Sequence, residues 1–148
     1  MAGLYIHVPF CQKRCLYCDF YSNTDMGYQE AYLSALIREM ELRKNYLEGE
    51  TLETIYFGGG TPSQLSVENL NRIFEAIFRH FPVNQDMEIT LEANPDDMTP
   101  AYVAALRSLP VNRISMGVQS FDAADLKFLN RRHDRKEALR AVRLCQEH

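Results

Sequence analysis

The 148-residue sequence predicts an α/β fold, a partial (β/α) barrel of about four parallel strand–helix units. Three observations lead there. Short runs of β-formers alternate four times with stretches of helical apolar spacing, which implies parallel strands joined by right-handed crossovers. At least three of these strands alternate polar with apolar residues, whereas strands of an open doubly wound sheet are covered on both faces and apolar on both. A helical layer outside and a polar interior suit a barrel around a polar ligand, but about eight strands are needed to close even a small one. Residues 1–148 therefore read as the N-terminal part of a barrel domain, with the remaining strands and the C-terminal region outside them.

The elements follow in order. LYIHVPF (4–10) is the first strand, with Tyr5, His7 and Pro9 alternating with Leu4, Ile6 and Val8, and it stops at the loop CQKRCLYCDF (11–20). A helix runs from about Tyr28 to Leu47 with Leu33, Leu36, Ile37 and Met40 on one face and Gly49 at its exit. TIYF (54–57) is the second strand and leads straight into GGGTP (58–62). Ser66 caps a second helix carrying Leu70, Ile73, Phe74, Ile77, Phe78 and Phe81. EITLEAN (88–94) is the third strand, after which Thr99 as N-cap and Pro100 open a helix bearing Tyr102, Val103, Leu106 and Leu109. RISMGVQS (113–120) is the fourth strand. Asp122 starts a short helix, and Asp134 with Glu137 has capping-box spacing for a last one that reaches His148.

Composition narrows the setting. Hydrophobic residues make up 46% of the chain, enough to bury a core. Sixteen Lys and Arg against twenty Asp and Glu give a formal charge of −4, with the basic residues scattered, so nucleic acid is not the expected partner. MAGLYIHVPF lacks the charged and apolar regions of a signal peptide, and no apolar run approaches the ~18 residues of a membrane span. A cytoplasmic location is expected. Three adjacent cysteines and a distant Cys145 pair poorly as disulfide staples, and a reducing compartment favours metal binding.

Cys11, Cys15 and Cys18 are spaced C-x3-C-x2-C. A structural zinc site takes four ligands, and the candidates for a fourth are His7 and Cys145. Cys145 lies at helical spacing from Ala138, Ala141 and Val142 and reads as a core thiol, while His7 reads as a packed strand residue. A cubane iron–sulfur cluster ordinarily takes four thiolates, so three would leave one iron open to another ligand. Lys13 and Arg14 would favour thiolates and offset a cluster's charge, or else form a solvated basic loop. GGGTP is neither a Walker loop nor G-x-G-x-x-G, and on its own reads as a tight turn. Glu92 lies near the carboxyl end of its strand on the polar face, where barrels place their sites, and a buried carboxylate there needs a partner. Arg131 alone reads as a surface arginine.

CQKRCLYC resembles the cluster signature of radical S-adenosylmethionine (SAM) enzymes. YIHVPFC, YFGGGTPS, LEANPDD and ISMGVQSF resemble, in order, blocks of the oxygen-independent coproporphyrinogen III oxidase and heme chaperone family, over essentially the whole chain. The resemblance implies a TIM-like barrel of the radical SAM type. It also implies that Cys11, Cys15 and Cys18 ligate three irons of a 4Fe-4S cluster and that the amino and carboxylate groups of SAM chelate the fourth. In the family's enzymes an electron from the cluster breaks the sulfonium bond to the 5′ carbon and yields a 5′-deoxyadenosyl radical. Gly59, Gly60 and Thr61 would contact SAM, Glu92 a ribose hydroxyl or the SAM cation, and Arg131 a carboxylate. Gln119 takes the corresponding place on the fourth strand, and Tyr5 and Tyr17 map to SAM-contacting positions.

One departure matters. The family's oxidases carry a further cysteine two residues after the third, where this sequence has Phe20, and its first strand begins almost at Met1 with no N-terminal extension. Both features resemble the heme chaperones, which bind heme and pass it to acceptor proteins. The alternatives are the oxidase, which converts two propionates of coproporphyrinogen III to vinyl groups, and a structural zinc module. Half a barrel also leaves two open sheet edges, which invite self-association.

Overall fold

The computed structural model of the chain describes residues 2–148. Four strands, β1 (Ala2–Val8), β2 (Leu52–Gly59), β3 (Val83–Ala93) and β4 (Arg113–Met116), form one sheet with every pair parallel and in the order β1-β2-β3-β4. Consecutive order without a reversal is the winding of a barrel, since a doubly wound sheet reverses at a switch point. Among the described residues five α-helices accompany the strands: α1 (Gln29–Leu42), α2 (Val67–His80), α3 (Pro100–Leu106), α4 (Ala123–Phe128) and α5 (Arg135–Glu147). None of the described helices is long and apolar enough to cross a membrane.

Register explains why the sheet has two unlike faces. Ile6, Phe57, Leu91 and Ile114 are successive cross-strand partners and form an apolar row. The adjacent row, on the other face, is Tyr5, Tyr56, Thr90 and Arg113. Ile6, Phe57 and Leu91 are buried in one core with Leu33 and Met40 of α1 and Leu70, Ile73, Phe74 and Ile77 of α2. Phe57 and Phe74 meet with ring centroids 5.3 Å apart. Burying one such aromatic stabilises the fold by about 1.5–3 kcal/mol. A smaller core of Ala93, Met98, Val103 and Ala141 seats α5 against the end of β3.

The helix starts sit where the capping residues place them. The Ser66 hydroxyl accepts from Asn69 N at 3.1 Å, the Thr99 hydroxyl accepts from Tyr102 N at 3.2 Å, and Asp134 and Glu137 exchange backbone-to-carboxylate bonds of 2.8 Å. Several boundaries differ from the sequence expectation. β1 ends at Val8 because Pro9 has no N–H to continue the ladder. α1 ends at Leu42, five residues early, because residues 41–46 are exposed and nothing anchors that stretch to the core. α3 also closes early, in turns from Ser108 to Ala105 and from Leu109 to Leu106. β3 begins at Val83 because Val83 pairs with Leu52.

The largest difference concerns the fourth strand, expected over 113–120 but ending at Met116. Gly117 N still donates to Ala93 O at 3.0 Å. Beyond it the chain turns on itself, with Val118 N donating to Met116 O at 3.0 Å and Ser120 N to Val118 O at 2.9 Å. Gln119 thus lies in a loop rather than on a strand, at a left-handed φ of 69°.

Candidate functional site

The loops that follow the four strands converge on a cleft of about 330 Å³ at the carboxyl ends of the sheet. Ten of the eleven residues singled out in the sequence line it: Cys11, Cys15, Tyr17, Cys18, Gly59, Gly60, Thr61, Glu92, Gln119 and Arg131. Tyr5 does not. It stands lower on the polar face, stacked on Tyr56 at 6.2 Å with its hydroxyl 3.1 Å from His7 Nδ1.

The cysteine loop is closed at its base. Asn23 N donates to Pro9 O at 2.6 Å and Cys11 N donates to Asn23 O at 3.0 Å, while Phe10 is buried edge-on against Tyr32. Inside the loop Cys18 N donates to Cys15 O at 3.3 Å, and the Arg14 guanidinium braces it through Ser22 Oγ at 3.3 Å and Ser22 O at 3.0 Å. The far side is stitched to the end of α4, with Leu16 N donating to Leu129 O and Asn130 Nδ2 to Arg14 O. Arg14 is therefore a structural brace of the loop.

Cys11 is buried with Sγ 3.4 Å from Thr61 Oγ1, Cys15 is half-buried, and Cys18 is exposed. Among the described residues no three His, Cys, Asp or Glu side chains stand close enough to grip one metal ion. Neither candidate fourth ligand is at hand. His7 donates from Nε2 to Tyr21 O at 2.9 Å, which leaves Nδ1 to accept from Tyr5. Cys145 packs beside the Met98–Val103 core and lines a different groove, and burial pushes its thiol pKa up. The donor set is thus three thiols on one loop. It lacks the fourth ligand of a structural zinc site, whereas an iron–sulfur cluster accepts its thiolates on separate metal atoms.

Gly59 at the end of β2 and Gly60 after it are fixed by the fold itself. Gly60 N donates to Val8 O at 2.8 Å, and a Cβ on Gly60 would fall 2.9 Å from Phe10 O. Gly59 has φ 109°, and a Cβ there would lie 2.6 Å from the His7 ring, which is pinned at both nitrogens. The turn is a structural one, and Gly59, Gly60 and Thr61 line the cleft without glycine side chains to obstruct it.

Glu92 is partnered. Its Oε1 accepts from the Tyr56 hydroxyl at 2.7 Å and its Oε2 from Gly59 N at 3.2 Å. The bond to Glu92, reinforced by burial, pushes the Tyr56 pKa up and keeps its proton in place. Each carboxylate oxygen retains acceptor capacity.

Arg131 is not a surface arginine. One terminal nitrogen donates to Asn94 Oδ1 at 2.7 Å and Gly117 O at 2.6 Å; the other donates to Cys15 Sγ at 3.2 Å and the Tyr17 hydroxyl at 3.4 Å. Its Nε is buried without a partner among the described residues. Burial pushes the Tyr17 pKa up, against the opposing pull of Arg131.

Several residues of this region escaped the sequence reading. Asn94 bonds both Arg131 and Thr61. Asp97 accepts from Ser63 Oγ at 2.5 Å, from Gln64 Nε2, and from Arg132 at 2.8 Å, while Arg132 also meets Asp96 at 2.6 Å. His133 is buried beneath the loop that carries Gln119. Acidic and basic pairs at 96–97 and 131–132 were the available signal, but their distance in sequence hides the pairing.

A sequence profile of the radical SAM superfamily matches residues 5–148. The chain belongs to the radical SAM superfamily. Heme chaperone HemW of Escherichia coli (strain K12) is 39% identical over 145 residues, covering 97% of this chain and 38% of that protein. The mitochondrial radical S-adenosyl methionine domain-containing protein 1 of Mus musculus is 37% identical over 142 residues, covering 95% and 32%. The solved coproporphyrinogen III oxidase (HemN) of Escherichia coli, described as a radical SAM enzyme, matches with a TM-score of 0.90 and 31% identity over 98% of this chain and 34% of that one. This chain spans about a third of the length of these relatives. Its sheet and helices share the TIM-like radical SAM fold, and the ten cleft residues gather at the carboxyl-end side of its sheet.

Proposed function

We propose that this radical SAM chain binds a 4Fe-4S cluster through Cys11, Cys15 and Cys18 and SAM in the adjoining cleft, and that the protein acts as a heme chaperone, inserting heme into acceptor proteins. The observation that carries the proposal is the convergence of three thiols, a bare glycine turn, a carboxylate and a partly unpaired guanidinium on one cleft without a fourth protein ligand. A cluster held there keeps one iron for a non-protein ligand. When bound, the cluster supplies a one-electron reductant beside the SAM sulfonium.

The chain's own residues supply binding and orientation. The Gly59–Gly60 backbone admits a ligand at close range, Glu92 accepts from a ribose hydroxyl, and Arg131 recognises a carboxylate. Thr61 and Gln119 add polar contacts, and Tyr17 screens the cleft from water. Tyr5 acts through the polar row below. Residues 1–148 are read as the N-terminal part of a barrel that further strands complete, in a cytoplasmic protein; left open, the β1 and β4 edges would favour self-association.

The likeness to the E. coli oxidase favours a second reading, oxidative decarboxylation of coproporphyrinogen III. Against it, Phe20 offers no thiol at the position where the oxidases carry one, and its ring is 65% exposed at the cleft. The two readings separate on a polypeptide of the relatives' length that contains this chain, loaded anaerobically and given either heme or coproporphyrinogen III. The chaperone reading predicts heme binding and transfer with no protoporphyrinogen IX. Formation of that product would overturn it.

A further inference from the structure

Three consecutive residues between α4 and α5 reach in two directions. Arg132 is tied to Asp96 and Asp97 in the turn after β3, while its neighbours on both sides hold the chain leaving β4. Arg131 donates to Gly117 O at 2.6 Å, and His133 donates from Nε2 to Val118 O at 3.0 Å. The anchor is itself fixed. Asn130 adopts a left-handed φ of 61°, Arg131 N donates to Leu126 O at 2.8 Å, and the capping box of Asp134 follows at once.

The held segment is where the sheet gives out. After Gly117 no ladder bond supports the chain, yet Gln119 sits at φ 69°, a conformation that a residue with a side chain keeps only when its surroundings impose it. His133 is suited to impose it. The residue is 3% exposed, burial pushes its pKa down and keeps it neutral, and its Nδ1 has no partner among the described residues. Its one hydrogen bond goes to the carbonyl immediately before Gln119, and the ring does not line the cleft.

We propose that Arg131-Arg132-His133 is a clasp and that His133 is a positioning residue, holding Gln119 in the strained conformation that points it at the SAM site. The inference rests on the SAM reading of the cleft.

Calorimetric titration of the anaerobically loaded chain with SAM tests it. His133→Leu should raise Kd about tenfold, the factor expected from one lost hydrogen bond of ordinary strength. His133→Gln, whose amide can donate to Val118 O, should restore affinity to within about twofold, and in a Gln119→Ala background His133→Leu should cost nothing further. If His133→Leu fails to fold, His133→Asn, too short to reach Val118, should show the tenfold loss instead. Wild-type affinity in His133→Leu or His133→Asn, or losses that add to that of Gln119→Ala, would overturn the clasp while leaving the cleft reading intact. A loaded wild-type chain that binds no SAM would overturn the cleft reading and the role of His133 with it.

Discussion

Replacing Cys11, Cys15 and Cys18 by Ala is expected to reduce the iron retained after anaerobic reconstitution with iron and sulfide to background, with each single replacement retaining less than half of the wild-type amount. The three thiols share one loop that is closed at its base by Asn23 and stitched to α4 at its side, so they present to the same cleft. Among the described residues neither candidate fourth ligand stands ready to substitute, because both His7 nitrogens are engaged and Cys145 lies in the packing of α5. Cys145→Ala is therefore the matched control and should retain full iron. The fold should survive the triple replacement: Cys15 and Cys18 contribute little to the core, and Cys11 is a small buried group whose replacement by Ala removes one contact with Thr61.

Asp97→Ala should destabilise the fold by about 2–4 kcal/mol, because it removes three hydrogen bonds to one carboxylate while Arg132 keeps Asp96. The Asp97 side chain is 8% exposed and collects Ser63, Gln64 and Arg132, joining the turns after β2 and β3 to the segment between α4 and α5. Its removal leaves Arg132 with Asp96 alone and frees two polar donors in a half-buried region. Against a typical total of about 5–15 kcal/mol, that loss is a large fraction. Urea denaturation at unchanged m-value measures it. Asp97→Asn keeps an acceptor for Ser63 and should fall between wild type and Asp97→Ala. Because the same network seats the loops around the cleft, ligand affinity should fall along with stability.

Much of the fold was legible because it is written locally. Ser66, Thr99, Asp122 and Asp134 cap the helices they were expected to cap, since a cap is settled within three residues. Alternation along β1, β3 and β4 gave the polar and apolar rows, and with them the choice of a barrel over a doubly wound sheet. Glu92 was expected at the cleft by the same logic, because residues at the carboxyl ends of adjacent parallel strands must meet, whereas the glycine turn, Tyr17 and Arg131 were expected there only from the family resemblance. The rest depends on long-range contacts. Arg131 looks like any exposed arginine until Asn94, Gly117 and Cys15 are known to surround it. The early end of β4 and the left-handed turn at Gln119 depend on His133 and Arg131, more than ten residues away. Pairing of Arg132 with Asp97, 35 residues away, and with its neighbour Asp96 leaves no periodic trace in the sequence.

The claim that three thiols hold a cluster with one iron open to SAM is tested most directly by electron paramagnetic resonance of the reconstituted, reduced chain with and without SAM. A cubane signal that requires Cys11, Cys15 and Cys18, and whose shape changes when SAM is added, is the predicted result. A cluster signal indifferent to SAM, or a wild-type chain that takes up zinc and forms no cluster, would contradict it.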